Sequence, residues 1–485
     1  MAPRRADPYK KAFKYRFTEL SPKPFSRMLS CIHLQNQLER LGFTDFCLKL
    51  VDHHAAHASA AAACSGFPEA LVLTLDDVGD GLSGTLWTWT GGELTRLSAL
   101  PARTTLGIFF EHVTNLMNMR ELEDEGKVMA LANFAYPIPD AENPMMGIIG
   151  TKGIEIVSTF TSTEMFRELK SILWRYPSKQ FAYMAQRVLE KSAVSLADEA
   201  LKSTGMKRMA VTGGGLLQYQ DEHATRRPAR SGAPFRLPPH GGLRSRYRGG
   251  ARCQPDALRH NDMPPPRPLP RPGNRGTALL FFFGTNRRTV PVFPHPPSGV
   301  SRCISRAPLI ISAEIILWFQ GRMEIGPRAL GHRSILARPD DRTIKDRLNL
   351  LLKKWVWYQP FCPSLLIEDA PALLETKGQN LQDNRFMTMG FRVRPERLPL
   401  MEGVINVDGT CRPQFVGNEE PGYRNLLLHL KKTLGYGVVL NTSFNLHGEP
   451  MVCAPGEAIE MLRRTGLRYI FMEDMLIENT HAEIR

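Results

Sequence analysis

Hydrophobic and polar positions follow several distinct patterns along the 485 residues. Glu69-Ala-Leu-Val-Leu-Thr-Leu-Asp76 is a short apolar run ending in acids, the pattern of a buried strand. Gly84-Thr-Leu-Trp-Thr-Trp-Thr alternates with period two and then meets Gly91-Gly92, which predicts a hairpin. From Glu164 to Thr204 apolar residues return every three or four positions, predicting one or two helices. Met209-Ala-Val-Thr is a strand running into Gly213-Gly-Gly215, a turn where a phosphate could approach the backbone. Residues 1–215 therefore predict a mixed α/β unit.

After Gly215 neither period survives. Residues 216–310 carry sixteen Arg, no Lys and four acids, with runs such as Pro264-Pro-Pro-Arg-Pro-Leu-Pro270, although both flanks use lysine freely. Such a composition buries too little apolar surface to offset the entropy of ordering it. Two readings fit: a Pro/Arg linker without fixed structure, or a stretch of coding sequence read out of frame. Pattern resumes near Ala313-Glu-Ile-Ile-Leu-Trp-Phe-Gln320, and residues 311–485 predict a second α/β unit. In it Gly435-Tyr-Gly-Val-Val-Leu-Asn441 is a strand delivered to the polar turn Asn441-Thr-Ser-Phe-Asn445. Pro455 then opens a helix that stops at Gly466.

Charge changes this picture little. The net +14 resembles a nucleic-acid signal, but 216–310 alone contributes +12 of it, so the folded parts do not argue for a nucleic-acid partner. No apolar run approaches the length of a membrane span. The eight cysteines are scattered without a CxxC pair, which points to free thiols in a cytoplasmic, reducing location rather than structural zinc.

The candidate chemistry lies in two stretches. In Val51-Asp52-His53-His54-Ala55-Ala56-His57, His53 and His57 stand at i, i+4 on one helix face, a spacing that suits a divalent metal. Asp76 or Asp77, after the buried strand, would add a carboxylate. The bland reading is a pair of helix-surface histidines. Three histidines in five residues beside Asp52, with acids soon after, favour the metal, and nitrogen with oxygen ligands admits Fe(II), Zn or Mn. In Gly321-Arg-Met-Glu-Ile-Gly-Pro-Arg-Ala-Leu-Gly331, Arg322 and Arg328, with Arg333 just beyond, flank glycines and a proline, and guanidinium groups hold phosphate oxygens in pairs. Lys353, Lys354 and Arg412 are further candidate anion contacts. Asn441 and Ser443 follow a strand's carboxyl end, where open α/β sheets bind ligands. Lys127, Gly213 and Gly214 are weaker candidates, and no GxSxG or Walker loop is present.

Together these stretches resemble the O-carbamoyltransferase family of nodulation protein U and the antibiotic carbamoyltransferases. The resemblance is carried by Asp52-His-His-Ala-Ala-His-Ala58, Leu73-Thr-Leu-Asp-Asp77, Gly126-Lys-Val-Met-Ala-Leu-Ala132, Val211-Thr-Gly-Gly214, Trp318 to Gly331, Pro360-Phe-Cys-Pro-Ser364, Asp408 to Gln414 and Leu440 to Pro450. It implies an actin/sugar-kinase-like (ASKHA) domain over 1–215, lacking first strands that would precede residue 1, and a YrdC-like domain over 311–485. It implies that carbamoyl phosphate and ATP give carbamoyl adenylate in the second unit, with Arg328, Lys353, Arg412, Asn441 and Ser443 holding phosphate or carbamoyl groups. The carbamoyl group would then pass to a hydroxyl of a small molecule or glycan at a metal, Fe(II) by resemblance, held by His53, His57 and Asp76. His54 would take the acceptor's proton. A homodimer is compatible with it. The family's late metal-site Asp has no match in 216–310, and Gln359 stands where many members carry an arginine. Two alternatives remain beside this reading: an inactive remnant of the family, and a tRNA threonylcarbamoylation-type relative.

Overall fold

The computed structural model describes residues 24–44, 46–102, 105–213, 235–236, 292–293, 307–312, 314–324, 326, 328–376 and 381–480. Nearly all of 216–310 lies outside these residues, and the linker and out-of-frame readings with it. The chain divides into two compact units, Met1–Pro238 with Thr388–Gly390 and Pro239–Met387 with Phe391–Arg485.

In the first unit, helix α1 (Pro24–Arg40) precedes α2 (His53–Ser65). Strands β1 (Glu69–Gly79), β2 (Leu82–Thr90) and β3 (Glu93–Pro101) form an antiparallel meander, and Gly91 and Gly92 turn it at positive φ. Then come α3 (Leu106–Leu116), α4 (Glu125–Ala132), the small hairpin of β4 (Gly150–Lys152) and β5 (Glu155–Val157), and α5 (Ser162–Arg175) and α6 (Ser178–Thr204), separated at Pro177. β6 (Met209–Thr212) and the two-residue β7 (Phe235–Arg236) complete a sheet of order β3-β2-β1-β6-β7, in which β6 runs parallel to β1.

The sheet is covered on both faces. Ala58, Ala61 and Ala62 of α2 pack on Val72 and Ala210, small residues that let the helix lie close. The larger cluster joins Leu71, Leu73, Phe109, Leu169, Phe181 and Val211 to the helices after β3. β1 is therefore buried on both faces, which is why its sequence is a continuous apolar run rather than an alternating one. Its pairing with β2 slips between Leu75 and Gly79, an irregularity that turns the strand end and aims Asp76.

The second unit is built on one mixed sheet. It contains β8 (Val292–Phe293), β9 (Ile316–Phe319), β10 (Arg333–Ala337), β11 (Cys362–Leu366), β14 (Gln414–Val416), β15 (Val438–Ser443), β16 (Tyr469–Met472) and β17 (Met475–Glu478). Their order is β14-β11-β15-β10-β9-β16-β17-β8, with parallel pairs at β11/β14 and β9/β16. β12 (Phe391–Arg392) and β13 (Thr410–Cys411) pair separately. Short helix α7 (Ala307–Ile311) and the helix α10 (Pro421–Leu434) cover one face, where Trp318, Leu336, Val439 and Phe471 meet Leu426, Leu427 and Leu430. Between them in the chain stand α8 (Arg342–Asp346), which passes into a π-helical turn Arg347–Leu352, and the single turn α9 (Ala370–Leu373). The last helix, α11 (Pro455–Thr465), begins at Pro455 and stops at left-handed Gly466, as expected from sequence.

Candidate functional site

The first site sits where α2 meets the end of β1. His53 Nε2 lies 2.9 Å and His57 Nε2 3.3 Å from the same oxygen, Asp76 Oδ2. Their potential ligand atoms all fall within 4.8 Å of one another. Two imidazoles and one carboxylate, each partly open to solvent, match the donors of a three-residue metal site with free coordination positions. The surroundings hold the ligands in place. The Asp80 carboxylate accepts from the backbone N–H of His53 at 2.7 Å and so caps α2, a task that Asp52 at the N-cap position leaves undone. Thr212 Oγ1, on β6, lies 3.5 Å from His57 Nδ1, the ring nitrogen turned away from Asp76. Gly79 leaves room for His53, since a Cβ there would sit 2.1 Å from the ring.

His54 faces the other way, which corrects its expected role. Its side chain is buried, with Nδ1 2.8 Å from Thr74 Oγ1 and Nε2 3.1 Å from the Leu82 carbonyl. The carbonyl requires a proton on Nε2, so the Thr74 hydroxyl donates to Nδ1. Thr85 and Trp87 continue the chain, with Thr85 Oγ1 2.7 Å from Thr74 Oγ1 and Trp87 Nε1 donating to Thr85 Oγ1 at 2.6 Å. Burial pushes the imidazole below its ordinary value, opposed by the Leu82 carbonyl. With both nitrogens committed, His54 is not placed to take a substrate proton; it fastens α2 to the sheet.

The weaker candidates are occupied as well. Lys127 pairs with Asp124 at 2.7 Å. Gly213 has φ +118, and a Cβ there would meet the Leu75 carbonyl oxygen at 1.9 Å, so close packing on β1 accounts for that glycine. The Asp77 side chain and Gly214 lie outside the described residues.

The second site is in the other unit, on β11 and β15. Arg328 and Arg412 approach one another, and neither forms an ion pair among the described residues. Burial, then the Arg412 charge, pulls the Arg328 guanidinium down to about 10, with Cys362 acting in the opposite direction. Arg412 Nη2 lies 3.9 Å from Cys362 Sγ, and Arg412 Nε is buried without a partner. Cys362 pairs across the strands with Asn441, so both side chains share a face. Asn441 is 2% exposed; its Nδ2 donates to Ser364 Oγ at 2.9 Å and the Ala329 carbonyl at 3.1 Å, while its Oδ1 has no partner. Gln414 ties in the loop as well, donating to the Leu330 carbonyl at 2.9 Å. Two neighbouring like charges, and an orphaned amide oxygen across the strands from Cys362, are each costly unless an anion and a hydrogen-bond donor complete them.

The other cations of this region are structural. Arg333 is buried over the Phe319 ring at 3.5 Å and donates to the carbonyls of Gln320, Gly321, His332 and Cys453. Lys353 is fully buried. Its Nζ donates to the Ser443 and Asn445 carbonyls and to Asn445 Oδ1, and lies 3.3 Å from Ser443 Oγ. Desolvation pulls this ammonium down to about 7, while the surrounding carbonyls favour its charged form. Lys353 and Ser443 are thus brought together, but as a clasp on the 443–445 turn. Arg322 is exposed. Sequence reading missed Glu324, whose buried carboxylate accepts from the N–H groups of Leu330, His332 and Arg333 and fixes the loop that carries Arg328. An acid set among arginines in a glycine-rich loop was its signal.

Two family profiles match this chain, the carbamoyltransferase N-terminus over residues 31–228 and the carbamoyltransferase C-terminus over 307–479. The chain belongs to the carbamoyltransferase family. Nodulation protein NolNO of Sinorhizobium fredii (strain NBRC 101917 / NGR234) is 30% identical over 458 residues, which are 90% of this chain and 64% of that protein. The 3'-hydroxymethylcephem-O-carbamoyltransferase of Amycolatopsis lactamdurans is 31% identical over 39% of this chain and 34% of its own length. This carbamoyltransferase chain thus spans under two thirds of NolNO. Among solved structures, full-length HypF in its phosphate- and nucleotide-bound form matches 39% of this chain and 22% of its own at 15% identity and TM-score 0.27, too partial to bear on the fold. Among the described residues no helix is long and apolar enough to cross a membrane.

Proposed function

We propose that this chain transfers a carbamoyl group from carbamoyl phosphate, activated with ATP, to a hydroxyl of a small molecule or glycan. The observation that carries the reading is the Arg328–Arg412 pair at Cys362, with the orphaned Asn441 Oδ1 cross-strand from that cysteine. Carbamoyl phosphate offers both missing partners, phosphate oxygens for the guanidinium groups and an amide N–H for the Asn441 oxygen. On this reading the second unit is the YrdC-like domain. There water would cleave carbamoyl phosphate to carbamate and inorganic phosphate, and the freed carbamate oxygen would attack the α-phosphorus of ATP, expelling pyrophosphate and giving carbamoyl adenylate. Arg328 and Arg412 hold the phosphate charge, Asn441 orients the carbamoyl amide, and Lys353 keeps the 443–445 turn in place.

The first unit is then the ASKHA-type domain. His53, His57 and Asp76 would hold a divalent cation, with Fe(II), Zn and Mn all suited to the donors. Such an ion neutralises nucleotide phosphates and polarises the leaving group. The chain's own residues supply the fixed geometry: Asp80 caps the helix, Thr212 turns the His57 ring, and His54 locks α2 against β1.

The test is exchange of labelled pyrophosphate into ATP by the full chain, with and without carbamoyl phosphate. Exchange that requires carbamoyl phosphate, is lost in Arg412→Gln and survives in Asp76→Asn is the expected pattern. Absence of both exchange and calorimetric binding of carbamoyl phosphate overturns the reading and leaves a non-catalytic member of the family.

A further inference from the structure

We propose that Cys362 is a thiol gate on the arginine pocket: glutathione disulfide, drawn in by its carboxylates, modifies Cys362 and closes the site to phosphate. This rests on the anion reading of Arg328 and Arg412. Cys362 opens β11 and is partly exposed, unlike the buried Cys411. Its sulfur lies 3.9 Å from Arg412 Nη2 and within the field felt by Arg328, so the pocket's two cations and its thiol converge on one space. A second, independent feature lies on the same face of the sheet. Asn441, cross-strand from Cys362 and 2% exposed, leaves Oδ1 without a partner.

Clustered guanidinium charge concentrates anions locally, so anionic thiol reagents reach Cys362 faster than neutral ones. The step itself is thiol–disulfide exchange. The Cys362 thiolate attacks one sulfur of glutathione disulfide, the Cys362–glutathione bond forms as the old S–S bond breaks, and the departing glutathione thiolate takes up the proton that Cys362 released. The added tripeptide brings two carboxylates to the guanidinium pair and fills the phosphate position, so the charge that recruits the reagent also holds the product. Reduction by free glutathione restores the thiol.

The experiment uses the full chain, with exposed Cys47 as the internal reference. Alkylation by iodoacetate and by iodoacetamide is followed at each cysteine by peptide mass spectrometry. The iodoacetate-to-iodoacetamide rate ratio at Cys362 should exceed that at Cys47 by about tenfold, fall to the Cys47 value in Arg412→Gln, and be suppressed at Cys362 but not at Cys47 by inorganic phosphate. Glutathione disulfide should abolish calorimetric phosphate binding in the native chain and leave it intact in Cys362→Ser. Equal ratios at Cys362 and Cys47, or undiminished phosphate binding after modification of Cys362, overturn the gate while the anion site stands. No phosphate binding by the untreated chain overturns both.

Discussion

Gly79 and His53 touch so closely that no side chain fits between them: a Cβ on Gly79 would lie 2.1 Å from His53 Cδ2 and 2.8 Å from Nε2. The glycine lies within β1, three residues beyond Asp76, where the pairing with β2 slips. Gly79→Ala should push the imidazole away from Asp76 and weaken divalent-cation binding by about 10–100-fold, the usual scale for a lost supporting contact. Titration of the full chain with Zn(II) and Mn(II), alongside a far-UV spectrum to show an intact fold, checks this. Unchanged affinity would mean that His53 is not a ligand.

The arginine pocket should trade stability for binding. Arg328 and Arg412 repel one another across a partly buried space, and burial disfavours the charge on Arg328. Arg328→Gln should therefore raise the unfolding free energy of the empty protein by about 1 kcal/mol. It should also abolish the stabilisation that phosphate gives the native chain. Thermal unfolding with and without phosphate measures both. A variant less stable than the parent would show that the repulsion is not felt.

Glu324 predicts a larger, purely structural loss. Its carboxylate accepts from three N–H groups, at 2.6 Å from Leu330 and 2.9 Å from His332, with Arg333 at 3.1 Å. Glu324→Ala strands these donors in a buried loop, which should cost about 3 kcal/mol. Urea unfolding of the variant checks the figure, and a loss well under 1 kcal/mol would show that water replaces the carboxylate.

His332 gives a pH signature. Burial opposes its protonation, but the Glu420 carboxylate at 3.2 Å, with Glu324 nearby, outweighs this and raises the imidazole above its ordinary 6.5. A raised folded value means the pair's stabilisation is fully present below the unfolded value of 6.5 and lost as pH rises through the folded value. The urea midpoint of the parent should fall relative to Glu420→Gln over that window above 6.5. Parallel midpoints in the two proteins would remove the pair from the stability account.

The sequence made much of this legible. The i, i+4 spacing of His53 and His57 and the acid-ended run to Asp76 both depend on local periodicity, and α2 and β1 realise them. His54 was misplaced although the same periodicity held the answer: one residue past His53 turns about 100° around a helix, away from a ligand pair and into the sheet. The arginines were harder. Arg328 and Arg333 are equivalent as letters in a loop, but Arg333 begins β10 and is held over the Phe319 ring by strand pairing, a tertiary fact without a local pattern. Lys353 likewise sits beside exposed Lys354 in sequence, and only the π-helical turn before it decides which ammonium is buried. The Asn441–Cys362 pairing depends on register between strands far apart in the chain.

The slip at the end of β1 has a consequence for assembly. In and just past it Asp76 lies against His53, Gly79 leaves that ring space and Asp80 caps the helix, each directed at His53 only 23 to 27 residues earlier. A helix, a tight connection and one strand thus contain all three proposed ligands. Contacts of such short sequence separation close at low entropic cost. The three proposed ligands are thus brought together by local closure, while β6, about 150 residues later, adds the Thr212 contact to His57 and the Ala210 packing under the helix.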